Sequence, residues 1–285
     1  MLWIGPAGVP LSCKGRTPLE GVQHCQELGL NAMELQFVRG IRIDDDYARE
    51  VGKLGKELGV KLSAHAPYYT NLGADDDKIV QKSIDKITLT ARVANLMGCD
   101  VVVCHPGFYT SLTKKETLKK SIATLESIMN YFEEGKFTVK LGIEVMGKQQ
   151  TFGDLDEVLA LCEAVPGTVP VIDFGHVHAR SNGGLKTVAD FQEVFDHFAP
   201  LKLDQWYAYF TGITYSNGSE LHHVPIKKGD LDFDKLVEVI LDHEHDITLI
   251  SNSPIIEHDA MFMKIHIERM LEKRGLGGAA PVQED

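Results

Sequence analysis

The sequence predicts an α/β chain folded as a single (βα)₈ barrel, and three observations predict it. Short β-rich runs alternate with stretches of helical periodicity eight times along the chain. Glycines stop helical stretches just ahead of the next apolar run. The length, 285 residues, is what eight such units need. Strands alternating with helices imply a parallel sheet with right-handed crossovers.

The β-rich runs fall at Leu2–Gly5, Ala32–Phe37, Lys61–Ala66, Val101–His105, Lys140–Val145, Val169–Phe174, Trp206–Ile213 and Ile247–Ser251. Helical periodicity is clearest over Asp76–Met97, Lys115–Phe132 and Phe233–Asp242. In the first of these, Ile79, Ile84, Ile87 and Ala91 form one apolar face with Lys and Asp opposite. Gly29 and Gly59 read as helix-terminating residues. A doubly wound open sheet is the competing architecture, but Gly5-Pro-Ala-Gly8 after the first strand is not GxGxxG. Residues 1–274 read as one barrel domain, and the Gly/Ala-rich, polar stretch 275–285 as a disordered tail.

Composition is ordinary for a globular chain, 44% apolar and 25% charged. The formal charge of −12 argues against a generally basic nucleic-acid surface and leaves room for a locally basic rim. Cys13, Cys25, Cys99, Cys104 and Cys162 are odd in number, lack CxxC spacing and read as buried free thiols. Met1–Pro10 lacks a secretory pattern, and no apolar run has membrane-spanning length, so a cytoplasmic protein is expected.

A parallel barrel gathers its chemistry at the carboxyl ends of its strands, where the following loops open on one face. There the third strand delivers His65, the fourth His105, the fifth Glu144 and the sixth Asp173, with His176 just beyond. Any one of these alone is more often a hydrogen-bonding partner than a ligand. Four at matching ends of successive strands form a donor set for zinc or its neighbours, against a buried polar network as the alternative. Glu220 with His222 or His223 could complete a second site with His176. His178 reads as a turn histidine without a role. His243, His245 and His258 should lie on the surface, as should His24, His197 and His266.

These residues sit in Ser63-Ala-His-Ala-Pro-Tyr68, His105-Pro-Gly107, Ile143-Glu144, Ile172-Asp-Phe-Gly-His176, Phe210-Thr-Gly212, His223-Val-Pro225 and Ile250-Ser-Asn-Ser-Pro254. In them the chain resembles the endonuclease IV family of apurinic/apyrimidinic endonucleases, within the wider xylose isomerase-like TIM barrels. The similarity runs from Gly5-Pro-Ala-Gly8 to Ser253-Pro254. The resemblance implies zinc ions at the barrel mouth, three in that family. His65, His105 and Glu144 match one site, with Glu144 bridging to a second. His176 and His223 match a third, with Glu220 standing in for its carboxylate. The second site adds Asp173, but where the family pattern has histidine on strand seven and glutamate on strand eight this chain has Tyr209 and Asn252. A neutral tyrosine, with its reference pKa of about 10, is a poor zinc ligand, and Asn252 removes a charge. One to three ions are expected, with His65, His105 and Glu144 the firmest site and a full trinuclear cluster disfavoured. Mn²⁺ or Mg²⁺ are alternatives to Zn²⁺.

The implied reaction is metal-dependent hydrolysis of the DNA phosphodiester beside an abasic site, with Glu144 and Asp173 as catalytic carboxylates. DNA-contact candidates are Arg39, Tyr68, Lys148 and Arg180, with Lys227-Lys228 after strand seven. Two other functions compete. One is a single-metal sugar isomerase or epimerase of the same superfamily. The other is a degenerate barrel that binds metal without catalysis.

Overall fold

The computed structural model describes residues 1–38 and 40–276. Eight strands carry the fold: β1 (Leu2–Pro6), β2 (Ala32–Gln36), β3 (Lys61–His65), β4 (Val101–Cys104), β5 (Lys140–Glu144), β6 (Thr168–Asp173), β7 (Trp206–Phe210) and β8 (Ile247–Ser251). They pair in the order β1-β8-β7-β6-β5-β4-β3-β2, each neighbour parallel to the next. This is the expected barrel. Seven strands fall close to the runs read from the sequence. The seventh stops at Phe210, and Gly212 opens a hairpin where the expected strand continued to Ile213.

The ring closes between β1 and β2 through the bridge of Ala7 to Glu34 and the backbone bond from Asn31 N to Ile4 O. The Asn31 side chain extends that seam by accepting from Ile4 N (2.6 Å) and donating to Leu2 O (3.0 Å). Gly5 makes the approach feasible, because a Cβ there would stand 1.9 Å from Ala32 O.

Alternation along each strand divides the side chains into two sets. One faces the helices, including Leu62, Ala64, Val102, Cys104, Leu141 and Ile143. The other fills the barrel with Ala32, Val101, Val103, Val171, Tyr207, Tyr209 and Ile250. Burial on both faces is why these strands read as near-continuous apolar runs.

The outer layer comprises α1 (Pro18–Glu27), α2 (Asp45–Leu58), α3 (Asp77–Leu96), α4 (Lys114–Glu134), α5 (Leu155–Ala164), α6 (Phe174–Arg180), α7 (Val188–His197), α8 (Phe233–Asp242) and α9 (Glu257–Lys273). Capping boxes start four of them, at Thr17/Glu20, Thr113/Glu116, Asp154/Glu157 and Thr187/Asp190. Gly29 and Gly59 are left-handed (φ 70° and 66°) and end α1 and α2 as expected. Glu257 at the start of α9 accepts from Leu11 N and Ser12 N at 2.7 and 2.8 Å, tying the last helix to the first loop.

Two short hairpins overhang the carboxyl ends of the strands. Gly107–Phe108 pairs with Thr151–Phe152, and Gly212–Ser216 with Ser219–Val224. All five cysteines are free and buried. No helix among the described residues is long and apolar enough to cross a membrane. His243 and His258 are exposed, whereas His245 is half-buried. It stacks on Phe195 at 4.5 Å and meets Trp206 edge-on, filling the foot of β7. Of the expected tail 275–285, residues 277–285 lie outside the described residues, as does Arg39.

Candidate metal centre

His65 is the last residue of β3, His105 follows β4, and Glu144 ends β5, so sheet register alone brings them together. His65 Nε2 and His105 Nε2 lie 3.0 and 3.1 Å from one oxygen, Glu144 Oε2. Each imidazole points its other nitrogen at a backbone carbonyl: His65 Nδ1 to Ala66 O (2.6 Å) and His105 Nδ1 to Tyr68 O (3.1 Å). A carbonyl only accepts, so Nδ1 carries the proton and Nε2 presents its lone pair. Two lone pairs therefore face a carboxylate oxygen at contact distance. That arrangement requires a proton or a cation between them.

A second group repeats the device. His176 Nδ1 donates to Val145 O (2.8 Å) and His223 Nδ1 to Asn252 O (3.0 Å), leaving the two Nε2 atoms facing each other at 3.4 Å. Glu220 stands beside both, 3.4 Å from His176 Nε2 and 3.7 Å from His223 Nε2. One ligand atom each from Asp173, His176 and His223 lie within 4.8 Å of one another, as do those of His65, His105 and Glu144. Anchoring one ring nitrogen on a carbonyl is how metal-binding histidines are held in the right tautomer. The donor set fits a divalent ion in both groups.

Local rules build the second group. Asp173 ends β6 and caps α6, accepting from His176 N at 2.9 Å, which sets His176 one turn above the strand. In the Gly212–Ser216/Ser219–Val224 hairpin, Thr214 pairs with His222 and Tyr215 with Glu220, so Leu221 is an extra residue in the ladder. That bulge turns Glu220 and His223 to the same side. Of the two candidate histidines it is His223 that reaches the group, while His222 is exposed. Gly147 leaves the space, since a Cβ there would stand 2.8 Å from His176 Cδ2 and 2.9 Å from Glu220 Oε2.

Both groups line one cavity of about 560 Å³ at the barrel mouth. Its electrostatics favour positive charge. Burial alone would depress His176, but Asp173, Glu144 and Glu220 outweigh it and push its pKa up to about 9. Burial likewise opposes a charged His65, and Glu144 with Glu34 raises it above its ordinary value. Burial works against the Glu144 carboxylate, yet His105 and His65 hold it well below the usual range.

The expected contact residues divide. Tyr68 stacks on His105 (5.1 Å between centroids, 13° between planes) and lines the cavity, as does Lys148. Arg180 does not stand on the rim. Its Nη1 donates to the carbonyls of Met146, Lys148 and Thr151 at 3.2, 2.8 and 3.1 Å, so it clamps the loop after β5. Lys227 lies over the Phe262 ring at 5.1 Å. His178 is buried and structural, accepting from Leu185 N and contacting Asp230 Oδ1 at 3.1 Å.

Sequence reasoning missed Glu34. It is wholly buried inside the barrel and accepts from Tyr209 Oη (2.5 Å), Tyr207 Oη (2.8 Å) and Gln36 Nε2 (2.5 Å). The signal was present: in Ala32-Met-Glu-Leu-Gln36 an acidic residue alternates in phase with the barrel-facing alanine.

Fold and site together define a parallel barrel whose carboxyl-end cavity carries histidine–carboxylate groups of metal-binding type. The chain belongs to the xylose isomerase-like TIM barrel family, whose model matches residues 22–262. It is 33% identical over 267 residues to an uncharacterized protein of Methanocaldococcus jannaschii, covering 92% of this chain and 96% of that one. A probable endonuclease 4 of Mycoplasma capricolum is 24% identical over 221 residues, 74% of each chain. Among solved structures, a D-tagatose 3-epimerase-like protein superposes with a TM-score of 0.73 at 19% identity, covering 95% of this chain and 98% of that one. Endonuclease IV from Thermus thermophilus gives 0.69, also at 19% identity, over 94% and 99%. Both likenesses concern the fold.

Proposed function

We propose that the chain is a cytoplasmic metal-dependent phosphodiester hydrolase of the endonuclease IV type, acting on DNA at abasic sites. The observation that carries this reading is the convergence of four carbonyl-anchored histidines, in two groups, on the two sides of Glu144. Sugar epimerases of the same fold are the second candidate. Tyr209 and Asn252 count against that reading, because they put a phenol and a neutral amide beside Glu144 and Asp173 instead of further charged ligands.

His65, His105 and Glu144 would hold one ion, and His176, His223 and Glu220 another, with Asp173 at its edge. Zinc suits these nitrogen and carboxylate donors, and Mn²⁺ or Mg²⁺ are the alternatives to test. Bound there, a divalent ion polarises a phosphoryl oxygen and lowers the pKa of water. Glu144 Oε1, turned away from His65 and His105, lies 3.4 Å from His176 Nδ1, where a carboxylate can orient an attacking water and receive its proton. Asp173 keeps His176 in place through its backbone N–H. Lys148 supplies a cation at the cavity wall for a phosphate, and Tyr68 an aromatic face for the sugar beside it.

The test uses protein loaded in turn with Zn²⁺, Mn²⁺ and Mg²⁺ and a duplex carrying one stable abasic analogue. Nicking that disappears with chelator supports the reading. No nicking with any ion sinks it, and metal-dependent exchange of solvent deuterium into a ketohexose would favour the epimerase.

A further inference from the structure

We propose that this centre holds two ions and that the floor between them is a hydrogen-bonded crosslink built on Glu34. The inference rests on the metal-binding reading of the two groups above and adds what separates them. An ion between them would draw on Glu144 Oε1, on Asp173 and on what β7 and β8 present beside them, namely Tyr209 and Asn252. Tyr209 is not free to serve, and Asn252 offers only one neutral oxygen.

Asn252 Nδ2 donates to Asp173 Oδ2 at 2.6 Å, and Asp173 Oδ1 accepts from His176 N at 2.9 Å. Flipping the amide would set two acceptors against each other, so the Asn252 N–H stays on Asp173. The one atom left over is Asn252 Oδ1, a buried neutral oxygen without a partner. One neutral amide oxygen and Glu144 Oε1, beside an Asp173 already hydrogen-bonded at both oxygens, are a thin donor set for a divalent ion.

Tyr209 is committed in the other direction. Its hydroxyl donates to Glu34 Oε2, and it is almost fully buried. Coordinating an ion would cost the phenol its proton and Glu34 one of its donors. Among the described residues Glu34 has no cation within hydrogen-bond reach, and it depends on Tyr207, Tyr209 and Gln36 to satisfy its carboxylate. Gln36 Oε1 in turn accepts from Tyr68 Oη at 3.0 Å, and Tyr68 is the ring stacked on His105. Tyr207 continues the chain to Ser63 Oγ at 2.6 Å. The crosslink thus runs from the centre of the barrel to the wall behind the first group.

The experiment strips the full-length protein with chelator, titrates it with zinc, and counts bound equivalents by elemental analysis after desalting. Absorbance near 295 nm reports any tyrosine that ionises on binding metal. The expected result is two equivalents and no phenolate band, unchanged in Tyr209→Phe and Asn252→Ala. The double variant Tyr209→His/Asn252→Glu should gain a third equivalent, with thermal melting confirming that it folds. One or three equivalents in the natural protein, or a phenolate band that Tyr209→Phe removes, overturns the proposal. So does a folded double variant that stays at two. Binding of no zinc overturns this inference and the hydrolase reading together, whereas two equivalents without nicking overturns the hydrolase reading alone.

Discussion

The two donor groups use the same chemistry on different supports. His65, His105 and Glu144 stand on three adjacent strand ends, where parallel pairing fixes their spacing, and the His65 side chain is 4% exposed. His176, His223 and Glu220 stand on a one-turn displacement of α6 and on a bulged hairpin, and the His223 side chain is 23% exposed. The first group is preset by the scaffold. The second depends on Gly147, the bulge at Leu221 and the Arg180 clamp all being right at once. A rigid element positions a site more tightly than a loop does, so the strand-borne group should be the tighter of the two.

The largest test of this contrast removes the carboxylate of the strand-borne group. Glu144→Ala should lower metal-dependent hydrolysis by more than about 100-fold, above the 10–100-fold typical of residues that only orient a ligand, and should cost the strand-borne group its zinc. Single-turnover rates with elemental analysis would check it. Loss of both equivalents would mean that Glu144 serves the hairpin-borne group as well.

A smaller effect separates the supports. Arg180→Ala removes the guanidinium donor shared by three carbonyls, of which Lys148 O still accepts from Thr151 N and Oγ1, and should destabilise the fold by about 1–3 kcal/mol. Its metal effect should fall on the hairpin-borne group, weakening it about 10–100-fold while the other holds. Denaturant unfolding with stepwise zinc titration reads both quantities. Equal weakening of both groups would erase the distinction.

The smallest effect is a pH dependence of the metal-free protein. The pKa of His176 rises on folding from an ordinary 6.5 to about 9. Its contribution to stability is therefore complete below about 6.5 and lost as pH rises through about 9. Zinc competes for the same nitrogen, so its affinity for this group should fall as pH drops below about 9. Urea unfolding of chelated protein at pH 6 and pH 9.5 should show the loss in wild type and not in His176→Gln.

The contrast also explains what could be read from the sequence. Strand-end residues obey a rule that needs no coordinates, because a (βα)₈ pattern brings His65, His105, Glu144 and Asp173 to one face as soon as the strands are counted. Which of His222 and His223 turns inward depends on a bulge whose position depends on pairing register, and register is not legible in Ser219–Val224 alone. Arg180 looked like a rim cation because sequence position places it after β6, but its length lets it reach back under the neighbouring loop. Glu34 was overlooked because a charge inside an apolar strand reads as an exception, whereas its partners, Tyr207 and Tyr209, come from the opposite side of the barrel.

Glu34 has a second position in the molecule. Its backbone forms the bridge to Ala7 that, together with the Asn31 hydrogen bonds, fastens the first strand to the second, and its carboxylate anchors the cavity floor. The seam closed by that bridge and the base of the cavity therefore meet in one amino acid. Any fluctuation that parted the ring along that line would pull the chamber's base away with it, so the lifetime of the intact ring sets an upper bound on how long the chamber keeps its shape.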